Sequence, residues 1–263
     1  METGQPVSLE TLVFPDEKTL IKQEKKTLVW RVRLGGSESA VVKMYRHLGL
    51  LNRWRGRAVP FRVQREFAAL GVLAAGGVPC SAPLLWGVGS AAGHGHIEVL
   101  VTREIPGAVS LKEWLDVKNR RVTSADLLPL FEVIRRAHHC GLYHGALWPK
   151  NILVTTAPSG ELSFHLIDLV RSIRFPGDMG GTSVARYDLL SLLYSLARSC
   201  PDLDAEALLR GYGMSPADAW EIAGQSRRYR STRHLRNRLA IIFKLGALAA
   251  NFAARWRPKD AKS

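Results

Sequence analysis

Cysteine is scarce in this sequence. Cys80, Cys140 and Cys200 lie sixty residues apart with no short pairing, which argues against a disulfide framework or a zinc site and makes a reducing compartment the expectation. There is no run of eighteen uncharged apolar residues, so no spanning helix is predicted. Met1 to Glu10 has no basic region followed by an apolar run, and no signal peptide is expected. Internal repeats, Pro/Gly/Ser-rich linkers, a Gly-x-Ser-x-Gly motif and a Ser-His-Asp order are all missing, which removes solenoids and hydrolase triads. His94-Gly-His96 lacks a third ligand, and His138-His139-Cys140 reads as a helix C-terminus as readily as a metal site. What remains, 46% hydrophobic and 23% charged residues in a chain of 263, suits a globular protein of one large domain or two lobes.

Acid is also short, with 23 Asp/Glu against 37 Lys/Arg for a net charge of +14. The imbalance is local. From Gln225 to Ser263 there are eleven Lys/Arg and one acid, leaving +4 for the other 224 residues. A second basic run holds Arg46, Arg53, Arg55, Arg57, Arg62 and Arg65, with no acid before Glu66. Such runs attract phosphate on lipid, sugar or nucleic acid. Within the basic tail, Leu239 to Ala254 has a single charge, Lys244. As a helix it spans about 24 Å, short of the hydrocarbon core. Flanking arginines and Trp256 suit an anionic membrane surface, and packing on the domain is equally open.

Periodicity predicts strands at Thr19–Gln23, Thr27–Leu34 and Ser39–Tyr45, a helix at Phe61–Ala75, then strands at Pro83–Val88 and His96–Arg103. After Ile105-Pro-Gly107 the pattern turns helical: Leu111–Val117, Ala125–Cys140, Val184–Ser199, Leu203–Arg210, Ser215–Gln225 and a basic tail helix, interrupted by strands at Asn151–Thr155 and Ser163–Asp168. The predicted division is residues 1–105, mainly sheet; 106–224, mainly helix; and the tail, 225–263.

Four polar residues stand in an order that phosphoryl transfer requires. Lys43 sits in the apolar strand Ala40-Val-Val-Lys-Met-Tyr45, where an ammonium needs an anionic partner. Glu66 falls in the first turns of the next helix. Asn151 closes the loop His144-Gly-Ala-Leu-Trp-Pro-Lys-Asn151, and Asp168 follows seventeen residues later in Ile167-Asp-Leu169. A nucleotide kinase places a lysine on the phosphates, a glutamate on that lysine, and an Asn and an Asp on the metal.

These residues, with Val41-Val-Lys-Met-Tyr-Arg-His-Leu-Gly-Leu-Leu51, Arg65-Glu-Phe67, Gly77-Val-Pro79, Thr102-Arg-Glu-Ile-Pro-Gly107 and Ser110-Leu111, resemble the bacterial lipopolysaccharide kinases of the Kdo/WaaP (InaA-like) group over about residues 19–195. The resemblance implies an α+β, two-lobed protein-kinase-like fold, with an antiparallel N-lobe sheet plus one helix and a mainly helical C-lobe. It implies ATP and Mg²⁺ as cofactors and a heptose or Kdo of the lipopolysaccharide inner core as acceptor. Lys43 and Glu66 are then catalytic, Lys43, Glu104, Asn151 and Asp168 bind the nucleotide, and Asn151 and Asp168 hold the metal. Asp188, in Arg186-Tyr-Asp-Leu-Leu190, resembles the aspartate that braces a kinase catalytic loop.

Two departures stand out. The position of the catalytic aspartate, counted back from Asn151, is Ala146, and alanine accepts no proton. The nearest upstream acid is Glu132; Asp178 lies downstream. The phosphate-covering turn carries Glu24-Lys25-Lys26 instead of glycines. Two functions are therefore open: a sugar kinase at the cytoplasmic face of the inner membrane, held peripherally by its tail, or a nucleotide-binding pseudokinase that regulates envelope biosynthesis. Nucleic-acid binding rests on charge alone and is not expected.

Overall fold

A computed structural model of the chain describes residues 18–35, 37–47, 61–91, 95–117 and 122–228. Strands β1 (Thr19–Gln23), β2 (Thr27–Gly35), β3 (Glu38–His47), β4 (Pro83–Ala91) and β5 (Gly95–Arg103) form one sheet in the order β1-β2-β3-β5-β4, with every neighbour antiparallel. Side chains alternate across it. Trp30, Val42, Met44, Val99 and Val101 bury on one face. Lys43, between Val42 and Met44, is thereby turned to the other face, where helix α1 (Arg62–Ala75) packs. That helix buries Val63, Glu66, Leu70 and Leu73 at helical spacing, so Glu66 lies within an apolar stripe and faces the sheet. The helix stops at Gly76-Gly77, and a Cβ on Gly76 would meet Cys140 Sγ at 2.3 Å.

Beyond β5 come β6 (Val109–Ser110), α2 (Leu111–Leu115), α3 (Ser124–His139), β7 (Leu142–Tyr143), β8 (Ile152–Thr156), β9 (Leu162–Leu166), β10 (Ile173–Arg174), α4 (Ser183–Ser199), α5 (Ala205–Tyr212) and α6 (Pro216–Arg228). Capping boxes start α2, from Ser110 with Glu113, and α3, from Thr123 with Asp126. The main core runs from Leu70, Leu73 and Leu100 through Leu127, Phe131 and Ile134 of α3 to Leu189 and Leu193 of α4. It joins the sheet region to the helical region in one apolar interior. The Leu166 N–H donates to the Pro79 carbonyl at 3.0 Å, tying the segment after α1 to β9.

The expected division into sheet then helix is found, and element ends differ. Asn151 belongs to a 3-10 turn, Pro149–Asn151, and not to the strand, because Pro149 favours the turn. The strand expected to reach Asp168 ends at Leu166. Asp168 itself is left-handed, φ 61° and ψ 51°, the sole non-glycine residue with positive φ among those described, a conformation that aspartate tolerates better than most residues. Helix α5 begins at Ala205, where Asp204 accepts from the Ala207 N–H, and not at Leu203. The short pairs β6–β8 and β7–β10 have too few residues to show periodicity. The tail helix, Arg53, Arg55, Arg57 and His94 lie outside the described residues. Among the described residues, no helix is long and apolar enough to cross a membrane.

Candidate active site

Lys43 brings three segments together. Its Nζ donates to Glu66 Oε1 at 3.0 Å and Oε2 at 3.3 Å, and to Asp168 Oδ1 at 2.6 Å. It also lies 5.2 Å from the centre of the Tyr45 ring, whose hydroxyl donates to Glu66 Oε2 at 3.4 Å. Burial by itself favours neutral lysine, and the carboxylates of Glu66 and Asp168 outweigh it, so the ammonium is held well above its ordinary pKa. Burial pushes the Glu66 carboxyl up, and the Lys43 ammonium opposes that push. At Asp168 burial acts upward as well, but Lys43, His144 and Lys150 prevail and hold the acid below its ordinary range. The Asp168 side chain is 41% exposed against 3% for Glu66. The partner buried with Lys43 is Glu66, and the one open to a ligand is Asp168.

Asn151 is buried in the loop ahead of β8. Its Nδ2 donates to the Ala146 carbonyl at 2.9 Å, which leaves the amide oxygen as its free ligating atom. The Ile167 N–H donates to the Asn151 carbonyl at 3.1 Å, so the segments bearing Asn151 and Asp168 run side by side. A carboxylate and an amide oxygen are hard donors. Two such ligands, with phosphates and water filling the rest, match how Mg²⁺ is usually held. Among the described residues, no group of three His, Cys, Asp or Glu is placed to hold a metal; at His138-His139-Cys140 the His138 ring meets Asp188 and Tyr212, and the His139 ring meets Asp178.

Helix α4 braces the loop. Asp188 accepts from the His144 N–H at 2.7 Å and the Gly145 N–H at 3.0 Å, and it is almost fully buried. His138 Nε2 lies 3.4 Å from the same carboxylate, and its Nδ1 lies 2.7 Å from the Tyr212 hydroxyl. His144 Nε2 meets the Ile167 carbonyl at 3.1 Å. Gly145 has φ +72°, and a Cβ there would sit 2.5 Å from the Arg171 carbonyl, so only glycine lets the loop approach the segment after Asp168 this closely.

Other expected positions stand elsewhere. The Glu104 carboxylate is not in the lysine cluster: it accepts from Arg31 Nε at 2.7 Å and Nη2 at 2.5 Å, and its N–H donates to the Ser39 carbonyl at 2.9 Å. Asp178 does not reach Ala146; it accepts from His139 Nδ1 at 2.5 Å and the Gly180 N–H at 2.7 Å. Ala146 is buried, with no carboxylate in its place. The Glu24-Lys25-Lys26 turn is pinned by Arg46, whose Nη2 donates to the Glu24 and Lys25 carbonyls at 3.1 Å. Sequence reasoning missed Arg31 and Tyr212, which carry no local signal, and read His138 only as a terminus or ligand.

The profile of the lipopolysaccharide kinase (Kdo/WaaP) family matches residues 21–212, a span that contains Lys43, Glu66, Ala146, Asn151, Asp168 and Asp188. The chain belongs to this family. Among solved structures, WaaP in complex with acyl carrier protein matches with a TM-score of 0.58 at 16% identity, over 85% of this chain and 88% of that one. At that identity the match speaks for the fold, which is the kinase-like one expected. No curated protein sequence matches the chain. The family supports a lipopolysaccharide kinase.

Proposed function

We propose that this lipopolysaccharide kinase family member transfers the γ-phosphoryl group of ATP to a hydroxyl of an inner-core sugar, heptose or Kdo, at the cytoplasmic face of the inner membrane, and does so slowly. The observation that carries the reading is Lys43 held between Glu66 and Asp168. That places a fixed cation beside the one exposed acid of the cluster, where phosphate oxygens and a metal would meet. Residues 1–105 cover the nucleotide, 106–224 supply the loops, and 225–263 bring the chain to an anionic membrane surface.

Asn151 and Asp168 would hold Mg²⁺, which when bound neutralises phosphate charge. Lys43 orients the phosphates, Glu66 fixes Lys43, and Asp188 keeps the loop in place through two backbone N–H groups. No side chain at position 146 takes the acceptor proton. Phosphoryl transfer depends mainly on positioning and electrostatics, and loss of a general base typically slows a reaction by ~10²–10⁴. The same alanine supports the second reading, a nucleotide-binding pseudokinase in envelope biosynthesis.

Thermal unfolding with ATP, with and without Mg²⁺, tests the shared premise. A ligand at a hundred times its Kd adds ~2.7 kcal/mol of stability, and Asp168→Ala should remove the Mg²⁺-dependent part. Phosphate transfer from labelled ATP to inner-core lipopolysaccharide then separates kinase from pseudokinase. Absence of any shift at millimolar ATP defeats both readings.

A further inference from the structure

Two exposed cations, Lys150 and Arg171, lie beside Trp148 of the loop His144–Asn151. Trp148 lies two residues past Ala146 and donates its backbone N–H to the Ala146 carbonyl at 2.9 Å, while its own carbonyl accepts from the Asn151 N–H at 2.8 Å. Its indole Nε1 donates to Ser191 Oγ of α4 at 2.8 Å, which fixes the ring. Among the described residues, two cations lie over that ring: Lys150 Nζ at 5.1 Å and the Arg171 guanidinium carbon at 6.0 Å from its centre. They come from different segments, Lys150 next to Asn151 and Arg171 three residues after Asp168. They meet because Gly145 lets the Arg171 backbone approach the loop.

Both cations are exposed. Among the described residues neither has a carboxylate within ion-pair distance, whereas Lys43, Arg31, Arg135 and Arg186 each do. Stacking on an aromatic face restrains a cation without neutralising it, and the ring holds both in place for a negatively charged group. With alanine at 146, the loop presents no carboxylate to repel such a group. A neutral acceptor would gain hydrogen bonds from these donors, and an anionic one gains charge attraction as well.

We propose that Lys150 and Arg171, arrayed on Trp148, anchor an anionic substituent of the acceptor, a carboxylate or phosphate on the core sugar, and so position its hydroxyl at the catalytic loop. This deepens the phosphotransfer reading and rests on it. Lys150 and Arg171 are positioning residues: they hold the acceptor and take no proton.

The experiment uses the full chain with Mg²⁺ and ADP, titrated calorimetrically with deacylated lipopolysaccharide inner-core oligosaccharide. Carboxyl-reduced and dephosphorylated forms of the same oligosaccharide distinguish the two anions. The wild type should bind the intact form and lose affinity for one of the altered forms. The double variant Lys150→Gln, Arg171→Gln should bind the intact form about tenfold to a hundredfold more weakly, as expected for lost hydrogen bonds to a charged group. Its unfolding midpoint should match the wild type, and its stabilisation by Mg²⁺–ATP should fall far less than its oligosaccharide affinity, because Lys150 also acts at a distance on Asp168. Equal binding by wild type and double variant overturns the proposal, as does indifference of the wild type to both chemical treatments or its failure to bind the intact form. Loss of binding to phosphatidylglycerol vesicles with oligosaccharide affinity intact would make the pair a membrane contact instead. Equal loss of ATP stabilisation and oligosaccharide affinity would make it a nucleotide site, and either result overturns the assignment. A wild type not stabilised by ATP defeats the phosphotransfer reading separately, whatever the oligosaccharide titration gives.

Discussion

Lys43 donates to Asp168 at 2.6 Å across 125 residues of chain. The strand lysine and the aspartate beyond β9 are thus joined directly, while Glu66 holds the same ammonium from the buried side at 3.0 Å. Binding of Mg²⁺ to Asp168 would compete with this ion pair, and phosphate oxygens would give Lys43 a replacement partner.

Lys43→Met leaves Glu66 buried without its cation. Removing one partner of a buried pair typically destabilises by about 3–5 kcal/mol, so a clear fall in the urea unfolding midpoint is expected. Lys43→Met combined with Glu66→Met should recover most of that loss and still fail to show stabilisation by Mg²⁺–ATP. Equilibrium unfolding of the single and double variants, with and without nucleotide, checks both parts.

Acid should destabilise the protein earlier than its carboxylates require. Burial holds the His144 imidazole below its ordinary 6.5 despite Asp188 and Asp168 nearby, and burial acts the same way on His165. In the unfolded chain these groups take up protons as pH falls through about 6.5, while in the folded protein burial delays that uptake to lower pH. The unfolded state then binds more protons, and stability declines with falling pH. Stability measured at pH 7.5 and 5.5 should show that decline, and His144→Asn should reduce it. An identical pH slope in the variant would refute the assignment.

Asp188→Ala removes the acceptor of two backbone N–H groups and of His138. Buried donors left without partners cost about 1–3 kcal/mol each before relaxation, so a loss of roughly 2–4 kcal/mol is expected. Transfer rate should fall more than ATP affinity, because the loop moves while Lys43, Glu66 and Asp168 remain. Tyr212→Phe, which loses the His138 and Gly180 contacts, should cost only about 1 kcal/mol. Unfolding curves and a kcat-against-KM comparison distinguish the two variants.

Ala146→Asp tests the meaning of the missing carboxylate. If the site is otherwise assembled, turnover on a core-sugar acceptor should rise by ~10²–10⁴. A wild type already working at ordinary kinase rates, ~1–100 s⁻¹, would show that alanine at this position is no catalytic loss.

The sequence alone sufficed for the division into a sheet part and a helical part, and for the candidates Lys43, Glu66, Asn151 and Asp168, because those signals are local. A charge in an apolar strand, an acid in a helical apolar stripe and a loop of set spacing can be read within a dozen residues. Tertiary structure alone decided which of them touch. Asp168 looked like a strand end and instead sits in a left-handed turn that presents it to Lys43. Glu104 is taken by Arg31, and Asp178 is held at His139, away from the loop. His138, read as a helix end, proved to be a buried strut between Asp188 and Tyr212. Trp148, Lys150 and Arg171 meet only because Gly145 admits a backbone 26 residues further along the chain. Ion pairs and close approaches of this kind join segments far apart in sequence, and no periodicity or local propensity records them. They form only when the shared apolar core draws the strands and helices together.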